Sequence, residues 1–148
     1  MVDQLPEELR ALKTRMKTFI NDVVIPREPE LMGEDANSGP VAMELKTKAK
    51  ESGLWALGHP TEIGGGGLPF MDFVYLNEVI GRSHWGQWAV GSLSMQDSIM
   101  LHLYASDDQR ERFLQPLVAG EIYPSVGLTE PEVAGSDPTQ MQATAVLD

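Results

Sequence analysis

The sequence predicts a mainly α-helical fold: a helical bundle over residues 1–120, followed by the first strands of an incomplete β-domain over residues 121–148. Three observations carry this reading. Apolar residues recur at spacings of three and four through the first 120 positions, the period of a helix that buries one face. Prolines and glycines punctuate those stretches at turn positions. After Gly120 the pattern turns extended, and Met141, Ala143, Ala145 and Leu147 alternate with Gln142, Thr144, Val146 and Asp148.

The first helix starts at Leu5-Pro6-Glu7-Glu8, where a proline in the first turn precedes acids that suit a helix N-terminus. Leu9, Leu12, Met16, Phe19, Ile20 and Val23 form its apolar stripe, with Arg10, Lys13, Arg15 and Lys17 facing water. Pro26 and Pro29 are expected to end it, because neither can donate to a helical ladder. Residues 27–40 read as a solvated loop, and the spacing of Glu30, Glu34 and Asp35 does not follow a calcium-loop pattern. A second helix covers Val41 to Ser52, with Ala42, Leu45 and Ala49 on one face and Gly53 as its stop.

The run Gly64 to Gly67 lies between a helix-ending loop and Leu68-Pro69. A phosphate cradle needs a strand before it and a helix N-terminus after it, so a permissive turn is the better reading. A third helix spans Phe70 to Arg82, with Phe70, Phe73, Val74 and Ile80 expected inside. A fourth spans Trp85 to Tyr104, with Val90, Leu93, Met100 and Leu101 as its stripe. Its Gly91, Ser92, Ser94, Gln96 and Ser98 leave two readings open, close helix packing or the border of a ligand cavity. Ser106-Asp107-Asp108-Gln109 is a capping box that starts a fifth helix through Phe113, Leu114, Leu117 and Val118 to Gly120, with Pro116 distorting its last turns. One or two strands cannot bury a core by themselves, so the chain reads as cut within its second domain.

Composition narrows the function classes. The 148 residues are 42% hydrophobic and carry 11 Lys+Arg against 22 Asp+Glu, a formal charge of −11. Such a balance lacks the clustered cations that bind nucleic acid. The acidity is uneven, with 8 basic against 9 acidic residues over 1–50 and 3 against 13 over 51–148. There is no cysteine, which excludes disulfides, thiolate metal sites and a cysteine nucleophile. No run approaches the roughly 18 apolar residues of a membrane span, and the N-terminus shows no secretory pattern. A cytoplasmic location is the expectation.

Catalytic constellations are absent from the residues. His59, His84 and His102 are far apart, and none sits in a metal-ligand motif; His59 before Pro60 reads as a packed loop residue. No serine has a G-x-S-x-G context. Glu130 and Asp137 flank a loop at an unknown separation. The segment Leu128 to Asp137 offers backbone amides, the Thr129 and Ser136 hydroxyls and a Gly135 that permits close approach, a donor set suited to an oxygen-rich cofactor. A structural loop between strands fits the same residues.

The string Leu-Thr-Glu-Pro-Glu-Val-Ala-Gly-Ser-Asp at 128–137 resembles the L-T-E-P-x-A-G-S-D signature of acyl-CoA dehydrogenases. The stretch ESGLWALGHPTEIGGGGLPFMDFVYLNEVIGRS and the helix LHLYASDDQRERFLQPLVAGE are similar to that family's corresponding segments, and the likeness runs from residue 5 to 148. One residue more stands between Pro131 and Gly135 than in the commonest form. The longer version resembles the branch of eukaryotic members sometimes fused to kinase-like domains, and its bacterial relatives.

The resemblance implies an FAD-dependent enzyme of fatty-acid β-oxidation that dehydrogenates an acyl-CoA thioester between its α and β carbons. It implies cofactor contacts from Val126, Gly127, Leu128, Thr129, Gly135 and Ser136. Leu128 and Thr129 match residues at the flavin pyrimidine edge, and Gly135 and Ser136 match the turn near the pyrophosphate. Ser136 also matches a pantetheine contact, and Trp88, Ala89, Ser92 and Gln96 match positions of the acyl-tunnel wall. The family's catalytic glutamate belongs to a C-terminal helical domain, and no residue within 1–148 corresponds to it, Glu130 included. No metal is implied. Electron-transfer flavoprotein is the implied acceptor, and a homodimer or homotetramer the implied assembly. The 148 residues alone are then expected to bind FAD weakly or not at all and to lack activity. Two other readings remain: another flavoenzyme on the same scaffold (an acyl-CoA oxidase, nitroalkane oxidase or flavin monooxygenase), or a non-enzymatic helical module that binds a partner through its acidic face.

Overall fold

A computed structural model describes residues 5–33, 39–144 and 146. Helix α1, Glu7–Thr18, begins after Pro6 and buries Leu9 and Met16. Its stripe continues into a wider π-helical turn, Phe19–Val24, which buries Phe19, Ile20 and Val24. The prolines do not end the helical path as expected. Pro26 lies in the first turn of a 3-10 segment, Ile25–Arg27, and Pro29 in the first turn of α2, Glu28–Leu31. Both therefore occupy positions whose amide would lack an intrahelical partner anyway. Glu30 in this turn pairs with Arg27, whereas Glu34 and Asp35 lie outside the described residues.

Helix α3, Pro40–Glu51, packs Val41, Ala42, Leu45 and Ala49 inward, together with Lys46. The glycine run forms a tight turn, as its flanks indicate. A Cβ on Gly65 would lie 2.2 Å from the His59 carbonyl oxygen, and one on Gly66 would lie 2.8 Å from the Leu57 Cα. Backbone amides of Gly65, Gly66 and Gly67 donate into the preceding loop, to Pro60, Ala56 and His59. They are thus spent within the chain and are not a phosphate cradle.

Helix α4, Phe70–Ile80, buries Phe73, Leu76, Val79 and Ile80. Phe70 and Val74 were expected inside but are 67% and 42% exposed. The buried set follows the 73, 76, 80 face against α1, while Val74 lies about 100° round the helix and Phe70 stands at its open end.

The single helix expected over 85–104 is two: α5, Gly86–Ala89, and α6, Met95–Tyr104. Gly91 breaks it with φ +71°, and a Cβ there would lie 2.6 Å from the Trp55 ring. The break re-aims the faces, so Ser94 and Ser98 are buried while Leu93 and Met100 of the expected apolar stripe are exposed.

The capping box at Ser106 is present, with Ser106 Oγ accepting from the Gln109 amide and Gln109 Oε1 accepting from the Ser106 amide. After α7, Asp107–Gln109, a π-helical turn at Arg110–Leu114 lets Pro116 enter the first turn of α8, Gln115–Ala119. Gly120 ends that helix. The main core joins α1, α3, α4 and α5. A smaller one joins Ile63, Leu114 and Val118, with Leu101 against them.

The expected strands do not form among the described residues. Residues 123–130 carry no regular secondary structure and have no ladder partner. The amides of Gln142 and Ala143 donate to a side chain instead. A strand is stabilised by its neighbour, and alternation by itself supplies none. Ala145, Leu147 and Asp148 lie outside the described residues.

Candidate functional site

The six cofactor-loop candidates lie on one irregular segment that folds back on itself. Gly135 has φ +73°, and a Cβ there would lie 2.7 Å from the Leu128 carbonyl oxygen. Only glycine permits that backbone conformation and approach together. Val126, Gly127, Leu128, Thr129 and Ser136 are exposed, and Gly135 is buried. Among the described residues, no amide from Val126 to Ser136 has a backbone partner, and the hydroxyls of Thr129 and Ser136 have none either.

The two acids of this loop are turned onto its own chain. Glu130 accepts from the amides of Gln142 (2.9 Å) and Ala143 (2.9 Å), and those bonds hold its carboxyl below the usual range. Asp137 accepts from the hydroxyl of Thr139 at 2.6 Å, its amide at 3.0 Å, and the side-chain amide of Gln140 at 3.1 Å. The Thr139 hydroxyl is the largest cause of its lowered pKa. Both carboxylates therefore act as acceptors for nearby donors, and neither is arranged as a general base.

The substrate-wall candidates are spread over the break at Gly91. Trp88 and Ala89 are buried in the main core. Ser92 is buried, with its hydroxyl on the Gln87 carbonyl at 3.2 Å, and Gln96 is exposed on α6. Of these, Trp88 alone lines a groove of about 410 Å³, formed with Ser83, His84, Trp85, Gln87 and Leu93. The geometry does not bring Gln96 to that groove.

His59 is fully buried, with Nε2 3.4 Å from the Ser94 hydroxyl. Burial lowers its pKa, opposed by a backbone hydrogen bond with Ala56, so it packs as a neutral side chain. Among the described residues no cluster of His, Asp or Glu has metal-site geometry.

The residue types alone pass over Lys46, Trp55 and Tyr123. Lys46 shares the apolar face of Ala42, Leu45 and Ala49, and that misplaced charge is the signal that could have marked it. Its Nζ donates to the Gly120 carbonyl at 3.1 Å and lies 5.0 Å from the centroids of both Trp88 and Tyr123. Burial pushes the Tyr123 phenol well above its ordinary pKa. The C-terminal carbonyls of α8 are thus held in succession: Val118 by the Trp55 indole, Ala119 by Lys50 and Gly120 by Lys46.

Residues 6–121 match the family model "Acyl-CoA dehydrogenase, N-terminal domain". The chain is 33% identical to mouse acyl-CoA dehydrogenase family member 10 over 95% of its own length and 14% of that protein's. It is 31% identical to the (2S)-methylsuccinyl-CoA dehydrogenase of Cereibacter sphaeroides, over 97% of this chain and 26% of that one. Among solved structures, a protein described as an acyl-CoA dehydrogenase from Mycobacterium abscessus superposes with a TM-score of 0.82 at 33% identity, covering 97% of this chain and 39% of that one. The ChsE4-ChsE5 complex of Mycobacterium tuberculosis gives 0.72 at 26% identity, over 98% and 36%. The chain thus spans well under half the length of each of these proteins. It belongs to the acyl-CoA dehydrogenase family and contains that family's N-terminal domain.

Proposed function

We propose that the chain is the N-terminal part of an FAD-dependent enzyme that dehydrogenates an acyl-CoA thioester between its α and β carbons. The observation that carries this is the donor character of the loop 126–136. Its amides have no backbone partner and its two hydroxyls no partner among the described residues, while Glu130 and Asp137 are engaged by nearby donors. An acidic segment thereby presents hydrogen-bond donors, which suits a flavin edge and a pyrophosphate.

In this reading the Leu128 amide and Thr129 hydroxyl hold the pyrimidine edge of FAD, with Val126 and Gly127 alongside. Gly135 and Ser136 lie at the pyrophosphate, and the Ser136 hydroxyl also meets the pantetheine arm. Trp88, Ala89, Ser92 and Gln96 border the acyl chain. Bound FAD supplies a two-electron acceptor for the β-hydrogen. Residues 1–120 are the helical domain and 121–148 open the next one; the base that takes the α-proton lies outside these residues. Electron-transfer flavoprotein as acceptor, a homodimer or homotetramer and a cytoplasmic setting complete the proposal.

The test is anaerobic titration of the full-length flavoprotein with an acyl-CoA series. Loss of the oxidised flavin absorbance with at least one thioester is expected, together with slow reaction with oxygen. Weaker FAD binding by about tenfold is expected for Thr129→Ala, as for one lost hydrogen bond. A full-length protein that purifies without FAD and takes none up would overturn the reading.

A further inference from the structure

The cluster of Lys46, Trp88 and Tyr123 stands between the two proposed binding regions. Lys46 is 3% exposed, and a buried ammonium is costly unless several groups replace its water. Here a helix-terminal carbonyl and two aromatic faces surround it, both favourable for a cation. The Trp88 and Tyr123 rings stack at 21° with centroids 6.4 Å apart. Tyr123 follows the anchored Gly120 by three residues and precedes Val126 by three. Trp88 belongs to the acyl-wall set. The same ammonium therefore lies against one wall residue, the end of α8 and Tyr123, three residues before the cofactor loop.

We infer that Lys46 and Tyr123 are positioning residues that fix the approach to the cofactor loop against Trp88 and so couple acyl binding to flavin binding. This rests on the function proposed above. The chain at Ala119 and Gly120, just before Tyr123, is held by the Lys50 and Lys46 side chains of α3. Displacing Tyr123 moves the amides of 126–129 relative to the wall while leaving their chemistry intact. Because coupling between binding sites is reciprocal, an acyl-CoA that presses on Trp88 alters FAD affinity through the same contact.

The experiment uses the full-length flavoprotein with Lys46→Met, Lys46→Arg, Tyr123→Leu and Tyr123→Phe. It measures FAD Kd by flavin fluorescence, the position of the bound flavin absorption band, and the urea midpoint. Lys46→Met and Tyr123→Leu are expected to raise FAD Kd about tenfold and to shift the band, as removal of a desolvated cation–aromatic contact implies. Tyr123→Phe, which keeps the ring, is expected within about twofold of the parent, and Lys46→Arg between the two. If Lys46→Met does not fold, Tyr123→Leu against Tyr123→Phe carries the test. An unchanged FAD Kd and band in Tyr123→Leu, with only a lower urea midpoint, would reduce the cluster to packing and overturn the inference. A parent protein that binds no FAD would instead overturn the function on which it rests.

Discussion

The indole Nε1 of Trp55 donates to the carbonyl of Val118 at 2.9 Å, joining residues 63 apart in sequence. That bond, with those from Lys50 and Lys46 to the next two carbonyls, closes the C-terminus of α8 against α3 and the loop after it. Trp55→Phe keeps most of the ring and removes the donor. A loss of about 1–3 kcal/mol in urea unfolding is expected, the cost of leaving a half-buried carbonyl unpaired.

Gly91 sits against the same ring. Alanine there must adopt φ +71° and place a Cβ 2.6 Å from the indole. Gly91→Ala is expected to destabilise by about 2–4 kcal/mol, combining left-handed strain with overpacking. A variant that unfolds at the parental midpoint would mean that the 85–104 segment runs as one continuous helix after all.

The helix start at Ser106 offers a smaller and cleaner effect. Ser106→Ala removes the acceptor for the Gln109 amide, at an expected cost of about 1 kcal/mol, whereas Ser106→Asp should retain most of the parental stability. Thermal melts of the two variants side by side decide this.

Acidification acts first through His59. Its folded pKa lies below the ordinary 6.5 because burial disfavours the imidazolium, so the unfolded chain binds the extra proton more readily. Its stabilising contribution is full above pH 6.5 and is lost as pH falls through the folded value. Tm is therefore expected to decline from about pH 6.5 downward, and His59→Gln to flatten that part of the profile. Glu130 and Asp137, also depressed, act only at lower pH, below their ordinary 4.5 and 3.8.

Glu130 is expected to behave as a staple. Glu130→Ala should raise amide exchange at Gln142 and Ala143 while leaving that of α1 unchanged, measurable by hydrogen exchange. Retained protection at those two amides would show that something other than the carboxylate holds the loop closed.

Local grammar made several elements legible in the sequence. The Ser106 box, the stop at Gly120 and the stripe from Leu9 to Ile20 depend on neighbours within one or two helical turns. The loop signature at 128–137 was legible as well, since its glycine and hydroxyls stand in a short specific string. The faces of α4 and α6 were not. Val74 and Ser98 take their environments from how the helices are rotated against the core, and the sequence pattern around each is compatible with either side. The strands expected after Gly120 do not form among the described residues for a related reason, because alternation describes a strand only where a partner completes the ladder.

The sequence by itself determined the helical class, the helix boundaries near caps and stops, and a loop at 128–137 rich in hydrogen-bond donors. Tertiary structure decided that Gly91 breaks the fourth helix, because the ring it must accommodate comes from Trp55, 36 positions earlier. It also decided where the loop's acids go and why a lysine is buried beside Trp88 and Tyr123. Each of those outcomes is a long-range contact between groups whose local sequence preferences are silent about one another, and only folding brings them within reach.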